Sequence, residues 1–182
     1  MRQWSTLHPE FAFLPRKFKI AITGADEDRA ATGWHDVGLK LVKNEAGEIG
    51  FRVQVGGGMG RTPIVGTVLR EFLPWQQIMN YLEAVIRVYN RYGRRDNIYK
   101  ARIKILVKAE GQRYIDDVDA EYKQILEHDG APHTITQEEF DRVAASFVPP
   151  ELATRVLQSA EKTDAELSLI HISEPTRLGM IS

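Results

Sequence analysis

Apolar and polar positions alternate in three short stretches of the first third of the chain. Over Lys17–Ile22, Phe18, Ile20 and Ile22 fall on one side and Lys17, Lys19 and Ala21 on the other, the two-residue period of a half-buried strand. Val37, Leu39 and Leu41 repeat the pattern over Asp36–Val42, and Ile49, Phe51, Val53 and Val55 resume it after the Asn44–Gly47 turn signal, which predicts a hairpin. Residues 23–35 read as a polar loop. From Trp75 the period lengthens. Trp75, Ile78, Met79, Leu82, Val85, Ile86 and Tyr89 form a helical stripe with Pro74 at its start and Gly93 at its end. Tyr114, Ile115, Val118, Tyr122, Ile125 and Leu126 mark a second helix. Thr136-x-x-Glu139 is a capping box ahead of Phe140, Val143, Ala144 and Phe147, closed by Pro149-Pro150. Residues 98–109 fit both periods: Ile103, Ile105 and Val107 alternate, but a charge-rich run without breakers also permits a helix. Residues 1–13 hold Trp4, Phe11 and Phe13 without clear periodicity, and Pro15 breaks any helix there. The elements predict an α+β fold, with a mixed or antiparallel sheet flanked by helices.

Composition narrows the function classes. The chain has 182 residues, 43% apolar and 27% charged, which is ordinary for a globular protein. No apolar run approaches the ~18–20 residues that span a bilayer, and the first twenty residues lack the apolar core of a secretory signal. A cytoplasmic protein without a membrane partner is expected. Cysteine is absent, so this chain supplies no disulfide, thiolate zinc site, cysteine nucleophile or iron–sulfur ligand. The five histidines show no metal-ligand spacing, and no metal residues are expected.

The formal charge of −1 conceals an asymmetry: residues 1–109 carry 18 basic and 10 acidic side chains, residues 110–166 carry 5 and 14. A basic first part suits an anionic ligand. Its densest stretch is 87–108, where Arg87, Arg91, Arg94, Arg95, Lys100, Arg102, Lys104 and Lys108 face Asp96 alone, with Tyr89, Tyr92 and Tyr99 between them. A non-catalytic module for nucleic acid or another polyanion is one reading, but no nucleic-acid motif accompanies it.

Two shorter features carry candidate chemistry. In Leu14-Pro-Arg-Lys-Phe-Lys19, alternation sets Lys17 and Lys19 on one face, ~6.5–7 Å apart along the strand. Ammonium groups held so close favour an oxyanion between them and can pass it protons; an exposed basic strand face that protects a sheet edge is the plainer alternative. Gly56-Gly57-Gly58-Met59-Gly60 matches neither nucleotide-binding glycine fingerprint. Successive glycines there imply positive φ, or close approach by a ligand or another chain segment.

Taken in order, Leu14-Pro-Arg-Lys-Phe-Lys19, Val55-Gly-Gly-Gly58, Glu71-Phe-Leu-Pro74, Asn90-Arg-Tyr-Gly-Arg-Arg-Asp-Asn97 and Lys100-Ala-Arg102-x-Lys104 resemble the siroheme/[4Fe–4S] nitrite and sulfite reductases, most closely the hemoprotein of bacterial sulfite assimilation. The resemblance runs over residues 2–128. It implies an oxidoreductase performing six-electron reduction of sulfite to sulfide, or of nitrite to ammonia, at a siroheme coupled to a [4Fe–4S] cluster and fed by a flavoprotein or ferredoxin. It places Lys17 and Lys19 on the distal side as catalytic groups that bind the anion and supply protons. It sets Arg102 against siroheme carboxylates, and Arg16, Gly56, Gly57 and Gly58 along the cofactor cavity. It also favours a helix for 98–109.

The departures define further expectations. The four cluster cysteines and two upstream anion-binding arginines of the family are missing. The chain therefore reads as an internal fragment, inactive alone and lacking the second half of its polypeptide: a truncated upstream segment over 1–12, the siroheme-binding repeat over 13–128, a helical linker over 129–166. Residues 167–182, beginning Leu167-Ser-Leu-Ile-His-Ile-Ser-Glu-Pro-Thr-Arg177, resemble the translation of a transposase adapter used in DNA library preparation.

Overall fold

Alternation over residues 37–55 produces the hairpin it predicts. In the computed structural model, which describes residues 1–147, β2 (Val37–Lys43) and β3 (Ile49–Val55) pair antiparallel, with Val37 opposite Val55 and Leu39 opposite Val53. The turn closes where Asn44 and Gly47 stand: Gly47 N–H donates to the Asn44 carbonyl at 2.9 Å, and Gly47 takes a φ of +80°, a conformation glycine reaches without a Cβ penalty. β4 (Thr67–Pro74) adds antiparallel to β3, and β1 (Ile20–Thr23) adds parallel to β2, giving a mixed sheet in the order β1-β2-β3-β4.

Two strands differ from expectation. β1 begins at Ile20, not Lys17, because the Lys19 amide is taken by the Asp36 side chain at 3.0 Å and the ladder starts with Val37 N–H donating to the Lys19 carbonyl. β4 was not anticipated. Arg70-Glu71 breaks its apolar run, and its register with β3 shifts twice, between Phe51 and Val53 and between Val53 and Gln54, while Leu69 and Leu73 both enter the core.

The long helix α3 (Ile78–Tyr92) enters through a 3-10 turn at Trp75–Gln77 and ends at Gly93. Its stripe packs on the sheet: Leu82, Val85, Val88 and Tyr89 join Val37, Leu39, Val53 and Val55 in one core. Of the 98–109 stretch for which the resemblance favoured a helix, residues 98–102 are non-helical and the helix (α4, Ile103–Glu110) begins at Ile103, putting Ile103 and Val107 into that core. α5 (Gln112–Glu127) contributes Tyr114, Val118 and Ile125. The N-terminal residues form two short helices, α1 (Arg2–Leu7) and α2 (Pro9–Ala12). They attach through Met1 and Trp4 and through the Asn90 amide, which donates to the Glu10 carbonyl at 2.7 Å. Thr136 and Glu139 make the expected capping box, Glu139 N–H to Thr136 Oγ1 at 3.2 Å and Thr136 N–H to Glu139 Oε2 at 3.5 Å, at the start of α6 (Gln137–Ala144).

Residues 1–139 form one compact unit; the second half of the 129–166 stretch read as a linker and all of the 167–182 tail lie outside the described residues. Among the described residues no helix is long and apolar enough to cross a membrane.

Tyr89 fixes the junction of α3 with α4. Its ring stacks on Phe18 at 5.8 Å, and its hydroxyl donates to the Ala101 carbonyl at 2.7 Å. Burial, with a contribution from the Asp36 charge, pushes its pKa up to about 12. The unfolded phenol ionises near 10, so between about pH 10 and pH 12 the unfolded chain loses its proton first and stability falls as pH rises. Denaturant midpoints across this window are expected to drop with Tyr89 present and to drop less in Tyr89→Phe.

Candidate functional site

Asp36 stands at the end of the polar loop, immediately before β2. It is 1% exposed, and a carboxylate buried to that degree must be paired. Three segments distant in sequence meet on it. Its Oδ2 accepts from the Lys19 amide at 3.0 Å, its Oδ1 accepts from Arg102 Nη2 at 2.7 Å, and its main-chain carbonyl accepts from the Gly56 amide at 2.9 Å. The lysine strand, the glycine loop and the arginine ahead of α4 are thus held by one residue to which the sequence assigned no role.

Beside Asp36 opens a cleft of about 320 Å³, lined by Arg16, Lys17, Lys19, Asp36 and Arg102. Four of the seven residues singled out from sequence therefore come together: Arg16, Lys17, Lys19 and Arg102. Asp36 was missed. The signal available was a lone acid between a polar loop and an apolar alternation, which is too common to stand out. Asp36 is committed to Arg102 and to the Lys19 backbone. The side chains of Arg16, Lys17 and Lys19 make no hydrogen bond or ion pair with the described residues. Three cations thus face one cleft without a counter-charge.

Gly56, Gly57 and Gly58 do not line the cleft. Gly56 has a φ of +85°, and a Cβ there would meet Val107 at 2.8 Å; one on Gly57 would lie 2.3 Å from the Gly33 carbonyl oxygen; one on Gly58 would lie 2.9 Å from Arg102 Nη2. What approaches these glycines is the rest of the chain, on α4 and on the loop before Asp36. Lys104, 6% exposed, secures the far side of the loop by donating to the carbonyls of Thr62 at 2.6 Å and Met59 at 3.2 Å. Burial and the Arg102 charge hold its ammonium below the usual lysine range, against the opposing pull of Asp36.

Four of the eight bases of the 87–108 run are paired with acids. Arg87 pairs with Glu83, Glu121 and Asp129, Arg91 with Glu121, Arg94 with Asp96, and Arg102 with Asp36. Arg95 donates to the Phe13 carbonyl at 2.6 Å. Of the run only Arg102 reaches the cleft. A broad phosphate-gripping surface has no support there.

The sequence profile of the nitrite and sulphite reductase 4Fe-4S domain family matches residues 1–124. The chain is 34% identical over 116 residues to sulfite reductase (ferredoxin) 1 of Mycolicibacterium paratuberculosis, covering 63% of this chain and 20% of that protein. It is 35% identical over 115 residues to the assimilatory ferredoxin-dependent nitrite reductase of Haloferax mediterranei, covering 60% of this chain and 20% of that protein. In structure it is similar to the Mycobacterium tuberculosis NirA protein, with a TM-score of 0.60 and 28% identity over 68% of this chain and 23% of that one. The chain spans about a fifth of the length of these curated relatives. With the profile matched over most of its length, the chain belongs to the nitrite and sulphite reductase 4Fe-4S domain family.

Proposed function

We propose that this chain carries the oxyanion-binding side of a siroheme-dependent sulfite reductase and is incomplete as an enzyme. The supporting observation is the cleft in which Arg16, Lys17 and Lys19 face one another while Asp36 is spent on Arg102 and Lys19. Like charges gathered in this way are relieved by an anion. Lys17 and Lys19 are the catalytic groups. Each ammonium offers charge-assisted hydrogen bonds to a sulfite oxygen. Taking sulfite to sulfide consumes six electrons and six protons and releases three waters, so proton donors are needed repeatedly. Both lysines are exposed and can be reprotonated from solvent after each transfer. Arg16 and Arg102 stay charged at any working pH and hold anionic groups without moving protons.

The donor set fits siroheme, whose eight carboxylates suit a wall of guanidinium and ammonium groups. The cleft lies near the lower end of the ~300–1,000 Å³ typical of ligand pockets, so it meets part of such a ring without enclosing it. When bound, siroheme supplies the iron at which the anion is reduced. Arg16 and Arg102 are its contacts in this reading, and Gly56–Gly58 act one step back by admitting α4 and the Arg102 head. The [4Fe–4S] cluster does not fit this chain, which has no cysteine; its thiolates come from the second half of the same polypeptide. The electron donor is a ferredoxin or flavoprotein, and the location cytoplasmic. Nitrite is the second reading, favoured by the similarity to a nitrite reductase.

Losing one charge-assisted hydrogen bond is worth ~1.5–3 kcal/mol, so Lys17→Met and Lys19→Met are each expected to weaken sulfite binding at least about tenfold. In the intact enzyme both are expected to depress sulfite turnover with siroheme still bound, and unchanged turnover in both would sink the assignment. Relative turnover on sulfite and nitrite separates the two substrates.

A further inference from the structure

His8 and His133 lie far apart in sequence, so their spacing carries no metal signal. The fold brings both to one carboxylate. His8 caps the start of α2, Glu83 sits on α3, and His133 lies in the segment that follows α5. His8 Nε2 is 3.3 Å and His133 Nε2 is 2.8 Å from Glu83 Oε2, and the three atoms lie within 4.8 Å of one another. We propose that His8, Glu83 and His133 bind a divalent transition metal of the zinc class. The trio shares no residue with the cleft.

The donor geometry is close to what such an ion requires. Metal–ligand bonds of ~2.0–2.2 Å in a tetrahedron set ligand atoms ~3.3–3.5 Å apart, so no pair here needs to move by more than about 1.5 Å. The Glu83 carboxylate is oriented for the task. Its Oε1 accepts from Arg87 Nε at 2.9 Å, whereas Oε2 is buried without a well-directed hydrogen bond. A buried carboxylate oxygen left in this way costs free energy until something binds it. The imidazoles are also held. The His8 ring lies 5.0 Å from Trp4, and the His133 amide donates to Asn80 Oδ1 at 3.0 Å. Such outer contacts set ligand orientation.

The charge balance admits a cation. Glu83, Glu121 and Asp129 surround Arg87, and Arg91 pairs with Glu121. Three carboxylates against two guanidinium groups leave one negative charge. Two neutral imidazoles and a carboxylate leave a fourth position for water, and the His133 side chain, 27% exposed, gives access from solvent. Coordination through His8 Nε2 moves the ring proton to Nδ1 and releases the long 3.3 Å contact that Nδ1 accepts from the Glu10 amide. This is a small loss, since the bond is already stretched. The ion would join α1–α2, α3 and the segment after α5 in one staple, so metal binding and folding are coupled.

The test is zinc titration of the full 182-residue chain, stripped with chelator, in competition with a chromophoric zinc indicator and with thermal unfolding alongside. One zinc per chain and a rise in Tm that grows with free zinc are expected. Changes to outer-shell partners alone cost about 10–100-fold in metal affinity. His8→Ala and His133→Ala are each expected to cost at least that and to abolish the Tm rise, while His128→Ala changes neither. Glu83→Gln also removes an ion pair to Arg87 and can disturb folding, so the partly exposed His133→Ala carries the decision, with circular dichroism confirming its fold. No zinc uptake at submillimolar metal, or undiminished uptake in the His8→Ala/His133→Ala double variant, would overturn the proposal and leave two imidazoles packed against a carboxylate.

Discussion

Asp36→Ala is expected to destabilise the chain by about 3–4 kcal/mol, more than loss of Arg16, Lys17 or Lys19, the cleft cations that it does not pair with. Removing one partner of a buried ion pair typically costs ~3–5 kcal/mol, because the remaining charge stays desolvated. The Arg102 side chain is 29% exposed, so water returns to part of it, which places the effect at the low end. The Lys19 amide also loses its acceptor, a further ~1 kcal/mol unless water replaces it. Urea unfolding is the measurement: the midpoint should fall with the slope unchanged. Asp36→Asn keeps an acceptor for Lys19 but not the charge, and should fall between. Lys17→Met and Lys19→Met, exposed and unpaired, should stay within about 0.5 kcal/mol of the parent. A loss below about 1 kcal/mol in Asp36→Ala would show that the three segments do not depend on this residue.

The contrast shows which parts of the site were legible in the sequence. Lys17, Lys19, Arg16 and Arg102 could be found because they recur in ordered motifs, and the structure lines one cleft with all four. The β2–β3 hairpin and the α3 stripe were legible because local period and turn chemistry determine them. What was not legible depends on long-range pairing. Asp36 gains its role only when residues 19, 56 and 102 converge, and no local pattern encodes that. The 87–108 run looked like an anion-binding surface because sequence displays its bases together but hides their partners: Glu83 one turn before, Glu121 and Asp129 on and beyond α5. β4 was missed since its register is set by β3 and not by its own alternation. Parallel pairing of β1 likewise follows from tertiary contact, as a parallel neighbour leaves no hairpin turn to read.

Gly57→Ala is the second large effect expected, and it separates two meanings of the glycine loop. An added Cβ would lie 2.3 Å from the Gly33 carbonyl oxygen and 2.6 Å from that of His35. Both are backbone atoms that cannot rotate away, and the Gly33 carbonyl is already engaged by the Gly66 amide at 2.8 Å. Relief requires the loop to shift just before Asp36, so the strain spreads to the contacts with Lys19 and Arg102. Overpacking of this kind costs ~1–3 kcal/mol where side chains can yield; with rigid backbone on both sides, a loss of about 3 kcal/mol or more is expected. Gly58→Ala meets the ends of flexible side chains, Arg102 Nη2 at 2.9 Å and Lys104 Cδ at 3.1 Å. They can yield, so it should cost about 1 kcal/mol while displacing the Arg102 head and weakening anion binding. A loop whose glycines exist for direct ligand contact would behave in the opposite way, with Gly57→Ala leaving the unfolding midpoint intact and lowering only affinity. Unfolding and sulfite titration of the two variants distinguish these roles, and the packing at Gly57 predicts that stability fails first.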